Sequence, residues 1–258
     1  LDAHVINKGV EFAIDYNIVD NDDWFWNFGF NIAYNDNMVE DYAGQNRTGE
    51  INGQGLTGAF AQLLAGGQPL FSYYLREFGG FDETGQSIYP AGDVQSFIGK
   101  SALPTTNVGI STRAEYKNWD LSIFMAGQYG HYIYNNTENA FFTKGALNNG
   151  RNVTRNVVDN GEAASNAPDV STRFLEKGDF LRMQNATLGY NFDLNEGSMF
   201  NTLRLYLNGQ NLFVITDYSG LDPEVDTNKA LNGIPSAGID YTAYPKPRTF
   251  TFGLNVSF

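Results

Sequence analysis

Apolar and polar residues alternate with a period of two along seven stretches of the chain, and helical spacing is nearly absent. Residues 249–258 show it most clearly: Phe250, Phe252, Leu254, Val256 and Phe258 fall on one face, with Thr251, Gly253, Asn255 and Ser257 on the other. Ile6, Val10, Phe12, Ile14 and Tyr16 oppose Asn7, Gly9, Glu11, Ala13 and Asp15 in the same way. Trp24, Trp26, Phe28, Phe30, Ile32 and Tyr34 oppose Asn27, Gly29, Asn31 and Asn35. Four further runs alternate over residues 108–116, 119–128, 185–192 and 203–208. Each run is about ten residues, the length a tilted strand needs to cross a bilayer. Alternation alone also suits one layer of a soluble sandwich, so the connections have to decide.

They come in two sizes, in strict succession. Short polar turns are expected at 19–23, 117–118 and 195–201; long, Gly-, Asn- and Pro-rich loops are expected at 36–107, 130–180 and 217–248. Soluble domains rarely carry several structureless loops beyond about 15 residues. Short turns on one side and long loops on the other is the layout of outer-membrane barrels. With the long loops facing outward, Tyr16, Trp24, Trp26, Tyr116, Trp119, Tyr190, Phe192 and Phe258 reach one level, as an interfacial aromatic girdle requires. The pattern predicts an all-β, antiparallel transmembrane β-barrel in a cell outer membrane, with long extracellular loops, short periplasmic turns and lipid against every second side chain.

Composition narrows the chemistry. Lys+Arg 16 against Asp+Glu 29 gives a net charge of -13, which excludes a general nucleic-acid binder because that needs a basic face. Cys is 0, so no disulfide, thiolate metal site or cysteine nucleophile is available. His4 and His131 are too far apart in sequence for a short-spaced metal motif, and neither a metal nor another cofactor is expected. No run approaches the roughly 18 apolar residues of a spanning helix. The chain opens at Leu1 without a signal sequence and reads as a processed product or a piece of something longer.

Several stretches resemble the barrel of SusC-like TonB-dependent transporters of Bacteroidetes outer membranes. They are Asn7-Lys-Gly-Val-Glu11, the run 178–190 (GDFLRMQNATLGY), the run 204–213 (RLYLNGQNLF), the run 216–225 (TDYSGLDPEV) and the ending 244–258. Their order and spacing cover nearly the whole chain. The resemblance implies that residues 1–258 are the C-terminal part of one barrel domain, its final seven strands or so out of the 22 of plugged outer-membrane transporters. It makes Phe258 the terminal aromatic of an assembly signal. It further implies a SusD-like surface lipoprotein as lid, TonB acting through a missing N-terminal part, and import of oligosaccharides or peptides. A SusC-like barrel serving as a scaffold in a larger outer-membrane complex, without transport, is the other reading. Seven strands in lipid would leave two unpaired edges at several kcal/mol per polar group, so the remaining barrel strands are expected as partners.

Other motifs have plainer readings. Gly53-Gln-Gly-Leu-Thr-Gly58 satisfies G-x-G-x-x-G but sits inside a long loop, without the strand before and helix after that a dinucleotide site needs. Asp20-Asn-Asp-Asp23 opens like a calcium loop yet lacks the later Gly and Glu, and reads as a hairpin turn. Asp222, Glu224 and Asp226 could hold a cation, but a loop carrying solvated charge is expected. A hydrolytic triad could be built only around His4 or His131, and no catalytic residue is assigned. The long loops are crowded with aromatics. Tyr73, Tyr74, Phe78, Tyr89, Tyr132 and Tyr134 are candidates for contact with substrate or lid, since aromatic faces stack on sugar rings. The competing reading is that they pack the loops onto one another.

Overall fold

A computed structural model describes residues 4–195 and 197–258. Leu1, and Glu196 within the expected turn at 195–201, lie outside the described residues. The seven alternating runs form strands β1 (His4–Asp20), β2 (Trp24–Glu40), β3 (Thr106–Tyr116), β4 (Trp119–Tyr129), β5 (Phe180–Asn191), β6 (Thr202–Gln210) and β7 (Thr249–Ser257). They lie side by side in sequence order, each antiparallel to the next. A short strand, Val214–Thr216, continues the pairing of β5 past the end of β6.

Register keeps the two faces of this wall separate. Phe30 lies opposite Ile110, which lies opposite Met125; Leu188 lies opposite Leu121 and Leu207, and Leu207 opposite Phe252. On the other face Asn27 meets Arg113, Arg113 meets Ser122, and Thr187 meets Asn208 and then Thr251. A slip of one residue in any pair would exchange the faces, so the apolar pattern and the register enforce each other. Irregularities between Asn17 and Val19 in β1, and between Met183 and Asn185 in β5, shift the phase by one. The second explains why even alternation is visible only from Asn185, although β5 begins at Phe180.

The apolar face is bare. Val10 is 68% exposed and Phe252 72%, and neither buried cluster of the loops draws a residue from this face. Phe250 and Trp26 are likewise exposed, so among the described residues no second sheet covers them as a sandwich would require. Trp24 with Tyr116 and Trp119 with Tyr190 form cross-strand aromatic pairs at 4.9 and 4.8 Å, beside the short turns. On the polar face two glycines make room for large neighbours. The Tyr206 ring lies over Gly253, and Arg204 and Asp120 lie over Gly189, where a Cβ would collide with them.

Two expectations need correction. β1 and β2 run for 17 residues rather than ten, because they continue past the lipid band. Lys8 opposite Asp36 marks the polar rim on the outward parity. The long loops are also not structureless. Residues 41–105 carry a four-stranded sheet of Gln45–Glu50, Phe60–Ala65, Ser72–Leu75 and Ser96–Ser101. The other two loops share a three-stranded sheet of Leu175–Lys177, Tyr132–Asn135 and Ile239–Asp240, with short helices at Asn136–Phe141 and Arg155–Val158. The three loops fold together because their backbone polar groups need partners and their apolar residues find a common core. That core takes Ile51, Tyr73 and Leu75 from the first loop, Tyr134 and Phe174 from the second and Ile239 from the third.

Candidate functional site

Buried polar side chains bind the three loops into one cap above the wall. The Tyr73 hydroxyl lies 2.9 Å from the carbonyl of Tyr132 and 2.7 Å from that of Gly238, so one first-loop ring touches both other loops. Gln62 donates to the carbonyl of Ala237 at 2.7 Å, and Thr48 to that of Ile234 at 2.7 Å. Asn136 and the backbone of Asn52 exchange two hydrogen bonds, at 2.8 and 3.0 Å. Tyr134 donates to Asn139 at 2.9 Å. Burial pushes the phenols of Tyr73 and Tyr134 well above their ordinary value. Each bond satisfies a group that water cannot reach, which is the condition for burying it.

One arginine ties the cap to the wall. Arg182 of β5 is buried, donates to Asp222 at 2.5 Å and also pairs with Glu224, which Lys246 meets at 2.8 Å. Asp222 and Glu224 are therefore not solvated loop charge, whereas Asp226 is exposed, as expected from the sequence. Asp222 and Glu224 neutralise a wall arginine, and Asp226 accepts from the Gly238 amide at 3.2 Å. Partial desolvation holds the Asp226 carboxyl above the usual range. A comparable pair sits within the second loop. Arg173 grips Glu162 through two bonds of 2.6 and 2.7 Å. Burial opposes the charge on Glu162, yet Arg173, Asn166 and the Lys144 amide hold its carboxyl below the usual range.

Of the six aromatic candidates, Tyr73, Tyr134 and Tyr132 meet in the cap core, and Tyr74, Phe78 and Tyr89 are not part of it. Tyr73 and Tyr134 are fully buried and act as cap packing. Tyr74 stacks on Phe60 at 6.2 Å and meets Phe97 edge-on at 5.0 Å. Phe78 packs edge-on to Phe81 at 5.1 Å, with Arg173 over both rings. The Tyr89 hydroxyl meets Asp169 at 3.2 Å, and burial with that carboxylate's charge pushes its phenol up to about 12. Tyr132 holds Lys100 over its ring at 4.8 Å and lines a cleft of about 230 Å³ with Asp36 and Asn37.

The remaining motifs resolve simply. Residues 53–58 form the connection of a loop hairpin, with Gly55 and Gly58 at φ 84° and 74°, which only glycine adopts readily. Asn21 accepts from the amides of Asp23 and Trp24 and closes the first short turn. His131 is buried edge-on to Phe180, burial pushes its imidazole down, and among the described residues no serine bonds to it. Among the described residues no group of three or more His, Asp or Glu is arranged to hold a metal ion.

A larger cleft, of about 620 Å³, opens between the second and third loops. Thr137, Glu138 and Phe142 line one side; Leu221, Asp240 and Tyr244 line the other. The Asp240 carboxylate is satisfied by the hydroxyls of Tyr218 at 2.7 Å and Thr137 at 3.1 Å. Glu138 is held by its backbone, whose amide donates at 2.9 Å to the side-chain oxygen of Asn135, the cap of the short helix. Burial, with Glu176 adding negative charge, keeps the Glu138 carboxyl above its usual range. No motif in the sequence pointed to Glu138; only its helix position across from 240–244 does. On the wall below, the polar face carries Arg113–Glu115 at 2.5 Å and Asp120–Arg204 at 2.5 Å, bordering a polar recess of about 530 Å³.

This architecture has counterparts. TonB-dependent receptor P3 of Formosa agariphila is 29% identical over 98% of the chain, and TonB-dependent receptor SusC of Bacteroides thetaiotaomicron is 28% identical over 98%. The chain spans little more than a quarter of either relative, 28% and 26%. The solved RagAB peptide transporter superposes with a TM-score of 0.79 at 22% identity, over 98% of this chain and 29% of that one. A RagAB importer in an open-open state gives 0.78 at 21% identity, with the same coverage of both chains. No protein-family model matches the chain. In sequence and fold the chain resembles a stretch of the β-barrel of TonB-dependent receptors, which places it in the bacterial outer membrane. Within that class the chain is SusC-like.

Proposed function

We propose that this chain is the C-terminal seven strands of a barrel that imports oligosaccharides or peptides, working with a SusD-like surface lipoprotein and powered by TonB through a preceding part. The carrying observation is the pairing of a wall whose inner face is polar with a single cap folded from all three long loops. A hydrophilic solute crossing lipid needs such a lined passage and something at its outer mouth to select it. Phe258 serves as the terminal aromatic recognised during assembly; it lies 5.3 Å from Phe200 at the short-turn end. The RagAB structures are of a peptide importer, which supports the peptide branch of this reading.

The test is uptake. Cells whose receptor has the 217–246 loop replaced by a short Gly-Ser linker, with outer-membrane amounts matched, should lose uptake of one labelled oligosaccharide or peptide class. Undiminished uptake and growth on every such source, with the protein still in a large outer-membrane complex, would favour the scaffold role and overturn import.

A further inference from the structure

We propose that the cleft between the second and third loops binds a protonated amine carried on an apolar stem, such as the amino terminus or a lysine side chain of a short peptide, with Glu138 as its counter-ion. The inference rests on the import reading for its biological setting, but the binding step can be measured by itself.

Four observations carry it. The cleft, at about 620 Å³, is large enough for a peptide end, and Phe142, Leu221, Ala243 and Tyr244 give it apolar walls. Leu221 is 72% exposed and Tyr244 96%, so apolar surface stands open beside it. Its two acids are not equivalent. Asp240 is buried and accepts from two hydroxyls, whereas the Glu138 carboxylate takes part in no hydrogen bond or ion pair among the described residues. Finally, the lining includes Glu138 and Asp240 and no Lys, Arg or His, on a chain of net charge -13. An anionic ligand would meet only like charge there, while a cation would relieve a desolvated carboxylate.

Burial already holds the Glu138 carboxyl up, with Glu176 and Glu162 reinforcing that effect and Arg173 opposing it. An ammonium ion seated beside it would lower it again, and the two would form a charge-assisted hydrogen bond.

The experiment is calorimetric titration of the complete receptor, purified in detergent, with Leu-Leu-Lys, the same peptide with both amines acetylated, Leu-Leu-Glu acetylated at its amino terminus, and a neutral maltotetraose. Leu-Leu-Lys should bind, and losing its charges should weaken binding roughly 10- to 100-fold, the range of a hydrogen bond to a charged group. Glu138→Gln, which retains the backbone cap, should weaken Leu-Leu-Lys by a similar factor and leave the acetylated peptide unchanged. Equal binding of free and acetylated peptides, preference for the anionic peptide, or tight maltotetraose binding indifferent to Glu138→Gln would each overturn the proposal. If Glu138→Gln misfolds, the ligand series on the unaltered receptor still decides. Loss of amine selectivity with intact peptide uptake would sink this inference alone; intact selectivity without uptake would sink the import reading alone.

Discussion

Replacing Arg182 with methionine removes the cation that ties the third loop to the wall. Its guanidinium is 4% exposed and faces Asp222, whose side chain is 5% exposed, at 2.5 Å. Glu224 is its second partner and retains Lys246 at 2.8 Å, so Asp222 suffers most. Breaking a buried pair from one side costs about 3–5 kcal/mol, because the remaining charge keeps its desolvation penalty. At 1.36 kcal/mol per factor of ten, local opening of residues 217–246 should rise about 150- to 5,000-fold. Hydrogen exchange read by mass spectrometry on the detergent-solubilised receptor would report it, with peptides from β2 and β3 as internal controls. Arg182→Met combined with Asp222→Asn and Glu224→Gln removes the stranded charge and should recover most of the protection. A change below tenfold in the single variant, or no recovery in the triple variant, would refute the claim that this ion pair rather than apolar packing seats the loop.

Two further outcomes follow from the same physics. Ile110→Lys places a charge on the bare face near the middle of β3, between Phe30 and Met125 and well away from the girdle at Tyr116, and should cost about 2–4 kcal/mol of insertion stability, lowering the temperature at which folded migration in detergent gels is lost; Asn208→Lys, on the polar face, should change it little. Glu162 carries a lowered carboxyl, so its stabilisation is full above the usual glutamate range and disappears as pH falls through the lowered value. Protease cleavage within residues 144–173 should therefore rise on acidification, and Glu162→Gln should show the high cleavage at neutral pH with a flatter pH profile.

The wall was legible in the chain because strand alternation is local. Two residues apart means the same face, and lipid on one side with polar contents on the other writes that period into every run from Ile6 to Phe258. The succession of short and long connections fixed which end faces outward by the same local logic. The β5 irregularity was the exception, since a phase shift at residues 183–185 is invisible until β4 supplies the register.

The cap was not legible. Thr48 meets Ile234, Gln62 meets Ala237 and Arg182 meets Asp222, pairs separated by 186, 175 and 40 residues with no repeating spacing. Tyr73 and Tyr134 looked like Tyr74 and Tyr132 in the sequence, yet the first two are sealed in the core and the others are partly open. Glu138 had nothing to distinguish it from other loop acids until residues 240–244 folded across from it and Asp240 proved to be satisfied. Period and connection length, properties of neighbours along the chain, determined the barrel wall from sequence alone. Partners for buried polar groups are chosen among residues far apart in the chain, and only the tertiary structure decided those.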